Sequence, residues 1–134
     1  MILLPFHIAF MSAAFLSMLG GIFAARFRKS RKWWFKAHRA FQIAAVACLV
    51  AGLVFALAMV RLSGGSESGI PHRLLGAVSI ASAGVIAVLG FTIFKLKDKD
   101  SIAARKRLHR YLGRGEALLM AGTMLVALFL IGVL

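Results

Sequence analysis

The sequence predicts an all-α membrane protein, an up-and-down bundle of four transmembrane helices with both termini outside. Three observations predict it. Of 134 residues, 61% are hydrophobic, with a mean hydropathy of +0.90, greasier than a soluble domain of this length. The apolar residues gather into four runs, Pro5–Ala25, Phe41–Val60, Leu74–Phe94 and Tyr111–Leu134. Each holds about 20 residues or more, enough to cross a hydrocarbon core about 30 Å thick. The third observation is that the Lys and Arg residues fall almost entirely between particular runs. Little remains outside the four runs, so residues 1–134 are expected to form a single domain without tail, linker or low-complexity segment.

The first run differs from a secretory signal, which carries positive charge ahead of its apolar core. Met1–Phe6 has none, and the cationic cluster follows at Arg26–Lys32. A retained helix with its N-terminus outside is expected. Of the 17 Lys and Arg, seven lie between Arg26 and Arg39 and eight between Lys95 and Arg114; Arg61 and Arg73 flank the remaining connection. The positive-inside rule then places the first and third loops in the cytoplasm. The second loop, "SGGSESG" at 63–69, faces out, as does the C-terminus. The net charge of +13 serves topology and lipid headgroups, not nucleic acid. Trp33, Trp34 and Tyr111 stand where interfacial aromatics belong. Cys48 is the only cysteine and no Cys-x-x-Cys-His occurs, which excludes a covalently attached c-type haem.

Each run has one histidine at its N-terminal end: His7, His38, His72 and His109. Alternate helices start on opposite sides, so His7 and His72 are expected near the outer face, His38 and His109 near the inner. In an up-and-down bundle helices 1 and 3 are diagonal neighbours, as are 2 and 4, giving two facing His pairs, one above the other. Ionisable groups within membrane spans are costly and tend to be functional, and neutral imidazole is a good iron ligand. A lone interfacial histidine bonded to backbone or water is commonplace; four in this arrangement suggest paired haem ligation. Zinc or copper requires three or four ligands together, and neither pair has a Cys or carboxylate beside it.

Two similar phrases, "PHRLLGA" (71–77) and "LHRYLGR" (108–114), mark the thresholds of the last two runs. Residues i and i+4 share a helix face, so Gly76 lies beside His72 and Gly113 beside His109, leaving clearance for a flat porphyrin. Arg73 and Arg110 follow the histidines and are placed to meet haem propionates, as is Arg39 in "HRAFQ", where Gln42 takes the glycine's position. Met11, Ala14, Met18, Gly21, Ser79 and Ala83 continue these inner faces, and small-residue helix packing accounts for such positions equally well. Glu116 shares a face with His109. It lies 18 residues before the C-terminus, about 27 Å, which puts it near the inner interface as a solvated or Arg-paired carboxylate. The sharper alternative is a proton acceptor beside a quinone or haem.

"WWFKAHRAFQ" (33–42), "PHRLLG" (71–76) and "LHRYLGR" (108–114), with His7 upstream, resemble the four-helix core of the eukaryotic-type cytochrome b561 domain. The version found beside DOMON domains is the most similar. The resemblance covers nearly the whole chain, with His spacings of 31, 34 and 37 residues. It implies two non-covalent b-type haems and transmembrane electron transfer, with bis-His ligation by His7 and His72 at the outer haem and His38 and His109 at the inner. The two further helices of longer members and an outer DOMON domain are not among the 134 residues. The ascorbate-binding lysines have no counterpart in register, Lys36 being nearest.

The expected function is therefore electron relay from a cytoplasmic-side donor (quinol, an ascorbate-like reductant or a redox protein) to an outer-side acceptor, with haem b as cofactor. Two filled axial positions leave no iron site for oxygen. The cationic inner face should raise the inner haem's potential and attract anionic donors. The lipid bilayer is the other partner; for a bacterial chain this would be the cell inner (plasma) membrane. A homo-oligomer, or a haem-bearing anchor subunit of a larger complex, is the alternative organisation. A small four-helix transporter needs an intramembrane acid; helices 1–3 have none and Glu116 is placed too near the interface. In a Cys48→Ser background, Ser66→Cys should react with an impermeant thiol reagent from outside and Ser30→Cys only from inside. The reverse pattern would refute the charge argument.

Overall fold

The computed structural model describes residues 2–62 and 70–132. The 63–69 loop, with its expected outward placement, and residues 133–134 lie outside them. Four long helices carry the chain: α1 (Leu4–Phe27), α2 (Trp34–Leu62), α3 (Ile70–Thr92) and α4 (Lys99–Leu130). All four are long and apolar enough to cross a membrane. No strand occurs among the described residues. The chain is a multi-pass integral membrane protein.

The helices form two compact units, Met1–Glu67 and Ser68–Leu134, each an antiparallel hairpin: α1 against α2, and α3 against α4. In lipid no hydrophobic effect drives helices together, so close backbone approach through small residues must do so. The first hairpin follows this rule. Its buried positions are Ala14, Met18, Gly21 and Ala24 on α1 and Ala45, Leu49 and Gly52 on α2. Leu16, Val50, Val54 and Leu57 stay exposed on the outer surface, as a lipid-facing surface requires. A Cβ at Gly52 would stand 2.7 Å from the Met11 sulfur, and one at Gly21 would collide with the Gln42 amide. Phe55 stacks on both Phe6 and Phe10 at centroid distances of 5.5 Å. Met11, Ala14, Met18, Gly21 and Gln42 thus serve the α1–α2 interface.

The second hairpin repeats the first. Adding 65 to α1 numbers and 71 to α2 numbers maps the buried Ala14, Ala45, Leu49 and Gly52 onto Ser79, Glu116, Met120 and Thr123. These four are the buried positions of the second hairpin. Beyond the histidines, His7 with His72 and His38 with His109, the repeat lies mostly in the positions; the similar phrases "HRLLG" and "HRYLG" are not part of it, since they occupy α3 and α4, which are not equivalent helices. The difference of six in the offsets is extra helix at the start of α4: the connections 28–33 and 93–98 are equally long, and α4 begins at Lys99, ahead of Arg105, the position equivalent to Trp34.

Helix ends depart from the apolar runs. Helix α4 starts at Lys99, twelve residues before Tyr111. His109 is therefore ten residues, about 15 Å, inside its helix, and not at its N-terminal end as His7, His38 and His72 are. Alanine and basic residues are good helix formers in water as well as in lipid, so the apolar boundary did not mark the helical one. Two contacts anchor the extension. The Asp98 carboxylate accepts from the Ser101 backbone N–H at 2.7 Å, and Arg105 donates to the Thr92 hydroxyl at the end of α3 at 2.9 Å.

The Ser101 N–H holds the Asp98 carboxyl below its ordinary value. A lowered folded-state pKa contributes stability that is present above the unfolded value, about 3.9, and lost as pH falls through the folded one. The cap should be complete at neutral pH and fail only in acid. Asp98→Ala should abolish hydrogen-exchange protection at the Ser101 amide at neutral pH while leaving the apolar half of α4 protected; unchanged protection there would show that the cap contributes nothing.

Candidate functional site

The four histidines share one local geometry. His7 Nδ1 lies 2.9 Å from the Gly52 carbonyl oxygen and His38 Nδ1 lies 2.9 Å from that of Gly21. His72 Nδ1 lies 3.2 Å from the Thr123 carbonyl and His109 Nδ1 lies 3.1 Å from that of Ile86. A carbonyl oxygen only accepts, so each Nδ1 carries the proton and donates. With Nδ1 as the donor, Nε2 is the nitrogen suited to bind a metal, and the ring plane is fixed by the Nδ1–H bond.

The bonds are reciprocal. Each helix supplies a histidine at one position and an accepting carbonyl 14 residues on: 7 and 21, 38 and 52, 72 and 86, 109 and 123. Fourteen residues are close to four helical turns, so both groups share one face. The arrangement also fixes a distance. Along α1, His7 and the carbonyl that holds His38 are about 21 Å apart, and the same figure separates the His72 and His109 levels along α3. Metal–imidazole bonds are about 2 Å long; the two histidines of one hairpin cannot bind the same ion. Among the described residues no three His, Cys, Asp or Glu side chains cluster to hold a metal.

Glycine lets the rings approach in different ways. In the first hairpin the acceptors Gly21 and Gly52 are themselves glycines. In the second, Gly90 lies against the His109 ring, where a Cβ would stand 3.1 Å from Cε1. Gly76 and Gly113, one turn beyond His72 and His109, have room: a Cβ at either meets no atom within 4 Å. Their equivalents in the first hairpin are Met11 and Gln42, so the second hairpin has two open notches where the first has side chains. Arg39, Arg73 and Arg110 are exposed, and Arg110 Nε donates to the Lys106 carbonyl at 3.3 Å.

Glu116 is not where counting from the C-terminus put it. It is 3% exposed and accepts from the Ser79 hydroxyl at 2.9 Å and from the Ser82 hydroxyl. Ser79 and Ser82 lie about 13 and 18 Å from the Ile70 end of α3, whose 23 residues span about 33 Å. The carboxylate is therefore buried mid-helix and is held by hydroxyls, neither solvated nor Arg-paired. Its placement also removes the ground on which a transporter was set aside.

Sequence reasoning missed the four carbonyls, Gly90, Arg105 and the serine partners of Glu116. For the carbonyls no residue-type signal exists, because any residue supplies one. The 14-residue spacing becomes visible only once the helices are paired.

The chain belongs to the eukaryotic cytochrome b561 family, whose model matches residues 4–131. Membership brings haem b and electron transfer across the membrane. The donor set fits that group: a haem asks for two axial nitrogens per iron, and the four rings offer oriented, neutral imidazoles. No curated protein and no solved structure matches the chain.

Gly90→Val should drive a branched side chain into the His109 ring. In NMR spectra, the signal of the His109 Nδ1 proton should be lost while that of His72 persists; retention of both would show that Gly90 does not seat the ring.

Proposed function

We propose that residues 1–134 act as one transmembrane dihaem relay, with His7 and His72 as the axial ligands of an outer haem b and His38 and His109 as those of an inner one. The observation that carries this reading is the matched pair of histidine ladders. Each hairpin holds one oriented imidazole at each of two levels about 21 Å apart, and neither hairpin can complete a bis-His site alone. Each iron must take one ligand from each hairpin. Alternation of the four spans would bring His7 to the level of His72, and His38 to that of His109. The positive-inside rule, applied to the basic connections, supports a cytoplasmic side for the second level.

Haem b, when bound, supplies a one-electron iron couple. The chain's residues do the rest. Each Nδ1–H bond to a carbonyl keeps the imidazole in one tautomer and raises its basicity toward a metal. Gly76 and Gly113 leave flat clearance beside His72 and His109. Arg39, Arg73 and Arg110 offer guanidinium groups to propionates at the two surfaces. With both axial sites taken, the function is electron transfer and not oxygen chemistry. The donor is a cytoplasmic-side quinol, ascorbate-like reductant or redox protein, drawn by the cationic loops. The acceptor is on the outer side.

Pyridine haemochrome analysis should return two haems per chain, both extractable in acid acetone. His7→Ala with His72→Ala should retain the inner haem alone, and His38→Ala with His109→Ala the outer. His7→Ala with His38→Ala should retain none. If that last variant kept a bis-His haem while the first lost both, the ligand pairing would be wrong.

A further inference from the structure

The mid-membrane carboxylate is unused by the relay as described. Three observations on it converge. The first is its place: seven residues separate Glu116 from His109, and seven separate it from Thr123, whose carbonyl holds His72. Glu116 thus lies about 10 Å along α4 from each histidine level, midway between them.

The second is its singularity. The first hairpin has Ala45 where the second has Glu116, and Ala14 where it has Ser79; both alanines are buried. Packing at this position is met by a methyl group, so a carboxylate with a hydroxyl facing it is not a requirement of the fold. Burying an ionisable group in a membrane span is costly and points to use.

The third is the wiring of Ser82. Its hydroxyl lies within reach of two acceptors, the Glu116 carboxylate and, at 3.0 Å, the Ser79 carbonyl. It has one proton to give. With Glu116 ionised, Ser79 and Ser82 both donate to the carboxylate. With Glu116 protonated, its O–H donates to the Ser82 oxygen, Ser82 turns to the Ser79 carbonyl, and Ser79 still donates to the other carboxyl oxygen. Both protonation states leave every polar atom satisfied without water.

We propose that Glu116, held by Ser79 and Ser82 midway between the two histidine levels, is a redox-linked proton site of the relay. It binds one proton drawn from water as an electron enters from the donor, and returns that proton to water as the electron leaves to the acceptor. This rests on the dihaem reading. A buried carboxylate midway between the two levels feels an added electron charge at either one through a medium of low effective dielectric, which couples its proton to that electron. The elements packed against α4 are α3 and the Ile93–Lys95 turn. They contribute His72 and Arg73 at one end and Lys95 at the other, all well removed from the carboxylate along the helices. On α4 itself the neighbouring titratable and charged groups are His109, Arg110, Tyr111 and Arg114. Ser79 and Ser82 are the side chains the hydrogen bonds put on it.

The test is spectroscopic redox titration of the purified full chain over a range of pH, with redox difference infrared spectra. Wild-type midpoint potentials should fall as pH rises, and the infrared difference should show a protonated-carboxyl stretch. Glu116→Gln keeps the shape and a hydrogen bond but cannot titrate. It should retain the haem content, flatten the pH dependence and abolish the stretch. Ser79→Ala removes a donor to the ionised form, so it should move the pH-dependent window upward with its slope intact; this variant serves if the glutamine protein is unstable. Equal slopes in wild type and Glu116→Gln would assign the effect to propionates and overturn the proposal, as would pH-independent potentials in wild type or an unmoved window in Ser79→Ala. A haem-loaded protein giving those results leaves the relay standing, whereas a wild-type chain that purifies without haem overturns both.

Discussion

Everything in the site depends on one interaction, the hydrogen bond from an imidazole Nδ1–H to a backbone carbonyl on the facing helix. A helix carbonyl has a second lone pair beyond its i+4 partner, and inside a bilayer no water competes for it. Four such bonds tie α1 to α2 and α3 to α4 at both ends of each hairpin. They set the helix register, the ring plane and the tautomer together. Shifting one helix by a turn, about 5.4 Å, would break both bonds of its hairpin at once. The hairpin's mechanical alignment and its chemistry are therefore the same contact.

The polar interior follows from that constraint. Ser79, Glu116 and Thr123 are the buried polar residues among those described, and none of the buried side-chain donors or acceptors there lacks a partner. Thr123 turns its hydroxyl to the Leu119 carbonyl at 2.8 Å while its own carbonyl receives His72. The apolar remainder is packed through small residues, which keeps the helices close enough for a histidine side chain to reach a neighbouring backbone. Gly21 and Gly52 show the dependence most directly, since at either one an added methyl group would meet a side chain of the opposite helix.

What could be read from the letters follows from what they encode. Four spans were legible because a bilayer demands a minimum length of apolar residues, and the candidate histidines because ionisable groups there are rare. The start of α4 was not, since helix propensity in water is independent of the apolar pattern that marked the span; Lys99–Arg110 is as helical as Leu118–Leu130. The depth of Glu116 was misread because counting from the last residue takes the chain's end for the membrane's far surface. Pairing with Ser79 and Ser82 on a 23-residue helix gives the depth directly. The hairpin repeat is hard to see in the letters because, beyond the histidines and a few others such as Arg39 and Arg110, equivalent residues differ in identity, Ala for Glu and Gly for Thr, and agree in burial or in hydrogen-bonded role.

That repeat bears on what a single covalent chain permits. An assembly of two identical hairpins encoded by one short gene would carry a given side chain at both equivalent places or at neither. Two facing mid-membrane acids, or two alanines, are the outcomes open to it. Two hairpins in one chain are free to differ at equivalent places, and here Ala45 is buried in one and Glu116 in the other. One acid for two histidine ladders leaves the two halves chemically unequal, a difference that two identical hairpins could not carry.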